Sequence, residues 1–178
     1  MYISLGNNCD PRMYIKHKLG ISKLNGYKSC PFDLCITPLK SLYQCIETDF
    51  YFFFDDLKLI PWGCAAGRSK NDLENKNAIM NKYNIIFNHE GSGHSHLFAT
   101  GKNDDLYYSR NDFEKFKERY ISRINNFKNY INENNNIIFI IKHNINEDDD
   151  TYNLITLTNL LKTKYHNKNI SIIMPFQK

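Results

Sequence analysis

Five consecutive apolar residues, Ile137-Ile138-Phe139-Ile140-Ile141, constrain the fold of this chain more than any other stretch. A strand that alternates apolar and polar residues can leave one face in water, whereas an unbroken apolar run must be covered on both faces. Helices give that cover in parallel sheets, so the run predicts an inner strand of an α/β domain. The residues before it agree. Phe113, Phe116, Tyr120, Ile124, Phe127 and Ile131 recur every three or four positions and form one face of a long helix. Asn111 with Glu114 three residues later fits a capping box at its start.

The rest of the chain continues the alternation. Residues 2–5 read as a short strand that ends in the turn residues Gly6-Asn7-Asn8. A helix over residues 10–19 follows, with Asp10 as N-cap, Pro11 at the first helical position and Gly20 as its stop. A second helix starts at Pro38 with Thr37 as cap, and it carries Leu39, Leu42, Tyr43 and Ile46 at helical spacing. The aromatic run 51–54 packs its end into the core. Residues 61–82 carry little pattern, with a helix expected from Asp72. Residues 83–87 read as a strand, 89–105 as a loop, 152–165 as a helix behind the acidic cap 147–150, and 170–174 as the last strand. The expected architecture is one α/β domain over residues 1–178, with a mostly parallel sheet and helices on its faces.

Composition narrows the function classes. At 178 residues and 42% hydrophobic, the chain can bury one sizeable core. No apolar run approaches the ~20 residues that span a bilayer, and no signal peptide is visible at Met1, so a soluble protein without a membrane partner is expected. Five cysteines are an odd count at irregular spacing, which speaks against a disulfide framework and for a reducing compartment. The cytoplasm is the expected location. The net charge of +4 comes from lysines dispersed among acidic residues, without an arginine-rich block, so nucleic acid is not the expected partner. The Gly63-Cys64-Ala65-Ala66-Gly67 segment lacks the Lys and Ser/Thr of a phosphate loop, and no cofactor is expected.

In a parallel sheet, ligands and reactive groups gather at the carboxyl ends of the strands. Those ends here present Cys9, then Asn88, His89 and Glu90, then Lys142, His143 and Asn144. Cys9 lies where the first strand turns into the first helix, and a helix N-terminus favours the thiolate. An imidazole nearby could act as its base. The alternatives are a small buried Cys9 at a tight turn, or a binding module whose Gly6-Asn7-Asn8 turn holds an anion such as a phosphate or a sugar nucleotide. His89, Glu90, His94 and His96 fall within eight residues, but their spacing matches no zinc signature and Gly-Ser-Gly separates them, so a loop rather than a metal site is expected. Cys30 and Cys35 have no second pair to complete a zinc knuckle, and Cys45 sits on an apolar helix face.

Three segments together carry a resemblance: Ser4-Leu5-Gly6-Asn7-Asn8-Cys9, Pro31-Phe32-Asp33 and Phe87-Asn88-His89. They resemble the papain-like cysteine peptidase family that is a domain of unknown function, found in bacteria and large DNA viruses. That family is similar in opening with Ser-Leu-Gly-x-x-Cys before a helix, and in a later Pro-Phe-Asp segment. A His after a strand follows, then a long helix with basic and aromatic residues, as in Arg119-Tyr120-Ile121-Ser122-Arg123. The resemblance implies Cys9 as nucleophile, His89 as general base and Asp33 as the residue that orients the imidazole. Strand-end placement offers Asn144 for the same third role. It further implies a peptide or other acyl substrate, the host cytoplasm if the chain is viral, and, by the family's label, a papain-like fold. The family tends to have Trp where Leu34 stands, a departure expected to change packing or a substrate wall.

Overall fold

The computed structural model describes residues 1–61, 77–90, 107–142 and 148–176. In chain order its elements are β1 (Tyr2–Ser4), α1 (Asp10–His17), a 3-10 turn (Lys23–Asn25), α2 (Leu39–Glu47), β2 (Lys58–Pro61), β3 (Asn77–Met80), β4 (Ile86–Phe87), α3 (Arg110–Glu133), β5 (Asn136–Ile140), α4 (Asp148–Lys164) and β6 (Asn169–Ile173). The apolar run is the middle strand of a parallel sheet of order β1-β5-β6. Tyr2 pairs with Ile138 and Ser4 with Ile140, while Ile137 pairs with Ile170 on the other side. Ile137, Phe139 and Ile140 are fully buried, as a strand covered on both faces requires.

A second sheet is antiparallel, in the order β2-β3-β4. It revises two expectations. Residues 77–80 form a strand where a helix was expected from Asp72, and 72–76 lie outside the described residues. Residues 83–87 keep only Ile86 and Phe87 as strand, paired antiparallel to Ile79 and Met80 instead of joining the parallel sheet. The cause is Asn81. Its Oδ1 accepts from the Tyr83 and Ile85 amides at 3.1 and 3.2 Å, folding 81–85 into a turn with Asn84 at φ 60°. Its Nδ2 donates to the Phe53 carbonyl at 3.0 Å and ties that turn to the aromatic run after α2.

One core serves both sheets, and the aromatic stripe of α3 is its spine. Phe116, Tyr120 and Phe127 are fully buried. Phe127 stacks on Phe139 of β5, while Phe116 and Tyr120 hold Phe87 of β4 at ring separations of 4.8 and 4.7 Å. Such aromatic pairs add about 0.5–1.5 kcal/mol beyond the area they bury. The α3 start departs from a regular cap: Asn111, Asp112 and Phe113 have left-handed backbone, although Asn111 does reach Glu114 at 3.3 Å. Two other caps shift by a residue, to Cys9 for α1 and to Pro38 for α2. No helix among the described residues is long and apolar enough to cross a membrane.

Candidate active site

Cys9 is placed by a strained turn. Leu5 still donates to the Ile140 carbonyl at 2.9 Å, and then Gly6, Asn7 and Asn8 take φ values of 85°, 62° and 141°. Sparsely populated backbone of this kind costs of order 1–3 kcal/mol per residue and concentrates where the surroundings over-determine it. The surroundings are visible. Asn7 Nδ2 donates to the Lys142 carbonyl at 3.2 Å, and Asn8 Oδ1 accepts from the Asp10 amide at 2.8 Å. Lys142 Nζ meets Asp10 Oδ2 at 2.5 Å, and this contact, with help from the Asn8 amide, holds the Asp10 carboxyl below the usual range. The end of β5 thus locks the turn that presents Cys9.

Gly6 has no room for a side chain. A Cβ there would stand 2.5 Å from Thr37 Oγ1 and 2.9 Å from Thr37 Cβ. Gly6→Ala is therefore expected to cost about 2–4 kcal/mol of stability in urea unfolding, from overpacking and left-handed strain together. A loss under about 0.5 kcal/mol would show that the turn is not fixed as described.

His89 arrives from the other sheet. Residues 88–90 follow β4, and the chain is held there by the antiparallel bridge of Ile36 with Ile86, next to the bridge of Asn8 with Cys35. The result brings Cys9 Sγ within 3.2 Å of His89 Nε2. Both side chains are half-buried. Cys30, Cys35 and Cys45 are buried, and burial pushes each of their thiols up, so they are inert. Among the described cysteines, Cys9 alone is both accessible and beside an imidazole.

The electrostatics of Cys9 differ from the helix-terminus expectation. Burial raises its thiol, the Asn88 side chain lowers it by hydrogen bonding, and the Asp10 and Glu90 carboxylates raise it further. The net shift is upward. That direction favours the neutral thiol at the contact with His89. At the start of α1 the Asp10 N–H donates to Asn8 Oδ1.

Asp33 is buried and anchors a separate network. It accepts from the Tyr27 hydroxyl at 3.0 and 3.1 Å and from the Cys30 amide at 3.0 Å, and it faces the Arg12 guanidinium at 3.8 Å. Burial lifts its carboxyl to about 6, against those donors. Asp33 and His89 line the same cavity, while Asp33 itself is bound to Tyr27, Cys30 and Arg12. Asn144, His143, His94, His96 and Cys64 lie outside the described residues. Among the described residues no group of His, Cys, Asp and Glu could hold a metal ion.

Two groups at this site were visible in the sequence without an assigned role. Asn88 is buried, its side chain hydrogen-bonds toward the Cys9 sulfur, and its Oδ1 is without a partner among the described residues. It sits inside the Phe87-Asn88-His89 segment, which was its signal. Glu90 is buried against Arg119 at 2.9 Å and Arg123 at 3.4 Å, and the signal there was two arginines four apart on one helix face.

No curated protein and no solved structure gives a significant match to the chain. The model of the family described as "Putative papain-like cysteine peptidase (DUF1796)" matches residues 1–177, nearly the whole length, with both Cys9 and His89 inside the match. The chain belongs to that family.

Proposed function

We propose that the protein is a cysteine-dependent hydrolase in which Cys9 is the nucleophile and His89 the general base. The observation that carries this reading is the 3.2 Å contact between Cys9 Sγ and His89 Nε2, made by residues eighty positions apart that follow strands of different sheets. His89 takes the thiol proton as Sγ adds to the acyl carbon of a peptide or related bond. The negative charge that develops on the acyl oxygen meets the Cys9 amide at the α1 cap and the Asn88 side-chain amide. The imidazolium returns its proton to the departing amine, leaving an acyl-thioester. Water, deprotonated by His89, then releases the acid and restores the thiol. Asp33 acts here as a positioning residue, fixing Arg12 and the 30–35 turn under the cavity onto which His89 opens.

Alkylation of Cys9 by iodoacetamide, followed by mass spectrometry across pH, tests the pair. With its thiol raised by burial, an unaided Cys9 is deprotonated only at alkaline pH. Wild type should therefore react at pH 7 about 10²-fold faster than His89→Ala, the lower end of what a general base contributes, and the two should converge at alkaline pH. Equal rates at pH 7 would sink the hydrolase reading.

A further inference from the structure

The cavity beside His89 carries more positive charge than its own carboxylates balance. It has a volume of about 390 Å³ and is lined by Arg12, Lys16, Lys23, Arg119 and Arg123 together with Asp33. Arg12 is held by Asp33, and Arg119 and Arg123 are held by Glu90 behind them. Five cations thus face two carboxylates, an excess of three, and neither Lys16 nor Lys23 is in an ion pair among the described residues. Arg12 and Arg123 are nearly buried, so their charges act through a medium less screening than water. Lys23 registers this. Desolvation and the neighbouring guanidiniums of Arg119, Arg123 and Arg12 lower it below an ordinary lysine, although Asp33 works the other way.

The walls fix what kind of anion fits. Met13, Leu24 and Leu34 give the cavity an apolar side, and Leu24 is wholly exposed. A bare ion would leave that side unused, whereas an acidic side chain lays its methylenes on it and its carboxylate among the cations. A second cavity of about 680 Å³ shares Lys23, Ser29, Arg119 and Arg123 with the first, so an extended chain has room to continue.

We infer that this cavity is an acidic subsite, binding the side-chain carboxylate of an Asp or Glu residue in a peptide substrate next to the bond that Cys9 attacks. Its place beside the scissile bond rests on the Cys9–His89 reading, but its charge preference does not.

The test is an NMR titration of the full-length Cys9→Ala protein at low salt with acetyl-Ala-Glu-Glu-Ala amide, its Gln counterpart and inorganic phosphate. The Glu peptide should bind about tenfold more tightly than the Gln peptide, the worth of one well-placed charge-assisted contact. Lys23→Ala, at an exposed position where folding is not at stake, should cut that advantage to about threefold or less. Equal binding of the two peptides, or an advantage untouched by Lys23→Ala, would overturn the subsite. Phosphate binding that depends on Lys23, without any Glu preference, would overturn it in favour of a free inorganic anion. Because the thiol is absent, failure here is distinct from failure of the hydrolase: a slow Cys9 with an intact Glu preference would leave an acidic-peptide site without the chemistry.

Discussion

Asp33→Ala is expected to lower the unfolding free energy by about 3–5 kcal/mol, because removing one partner of a buried ion pair strands the other. Arg12 is nearly buried, stacked over the Tyr27 ring at 3.8 Å and donating to the Ile21 carbonyl at 3.0 Å, so it cannot swing out to water without losing both contacts. The Tyr27 hydroxyl and Cys30 amide would be orphaned in the same step. For a chain of this size the loss corresponds to a melting temperature lower by roughly 10 °C, which calorimetry would resolve. The pH dependence gives a second check. Burial raises the Asp33 carboxyl to about 6 in the folded state, above its unfolded value of 3.8. The folded state therefore holds this proton more tightly, and the contribution of Asp33 to stability is greatest below pH 4 and declines as pH rises to 6. The cost of Asp33→Ala should accordingly be larger at pH 5 than at pH 8. A cost below 1 kcal/mol, or one that grows with pH, would contradict the network as described.

Asn88→Ala should reduce acyl transfer by about 10²–10³-fold, the usual loss when one oxyanion donor is removed. Turnover of p-nitrophenyl acetate measures it without knowledge of the natural substrate. Alkylation by iodoacetamide builds no oxyanion and should fall far less, since there Asn88 matters only through its hydrogen bond toward the Cys9 sulfur. Asn88→Asp has the same shape and no amide to donate, and it places a carboxylate where negative charge develops, so it should do no better than alanine. Activity restored by Asp would mean that Asn88 only fills space.

Periodicity carried most of the parallel half of this fold. The stripe on α3 and the unbroken apolar β5 have no other way to bury themselves, and both stand within a residue or two of where their patterns put them. The antiparallel sheet was hidden because its strands are only two to four residues long, too short for any period to show, and because its turn depends on the Asn81 side chain. Cys9 and His89 were legible from their motifs, although the expectation that parallel strand ends would unite them was only half met. Cys9 does lie at the end of a parallel strand, while His89 comes from a two-residue antiparallel one. Local patterns do not reveal long-range charge. That a helix terminus would be outweighed at Cys9 by burial, Asp10 and Glu90 follows only once distant residues are placed around it.

The parallel sheet has an implication for how the protein comes off the ribosome. Among the described residues β1 pairs with β5 alone, so the strand that leads into Cys9 waits for residues 136–140, by which point most of the chain has been made. Pairings across so much sequence form late and slowly. Throughout that interval the N-terminal thiol has no fixed turn, and its imidazole is not yet in reach. On the proposed reading, a nascent chain of this design has no assembled Cys9–His89 pair until β5, in the last quarter of the polypeptide, closes over the first strand.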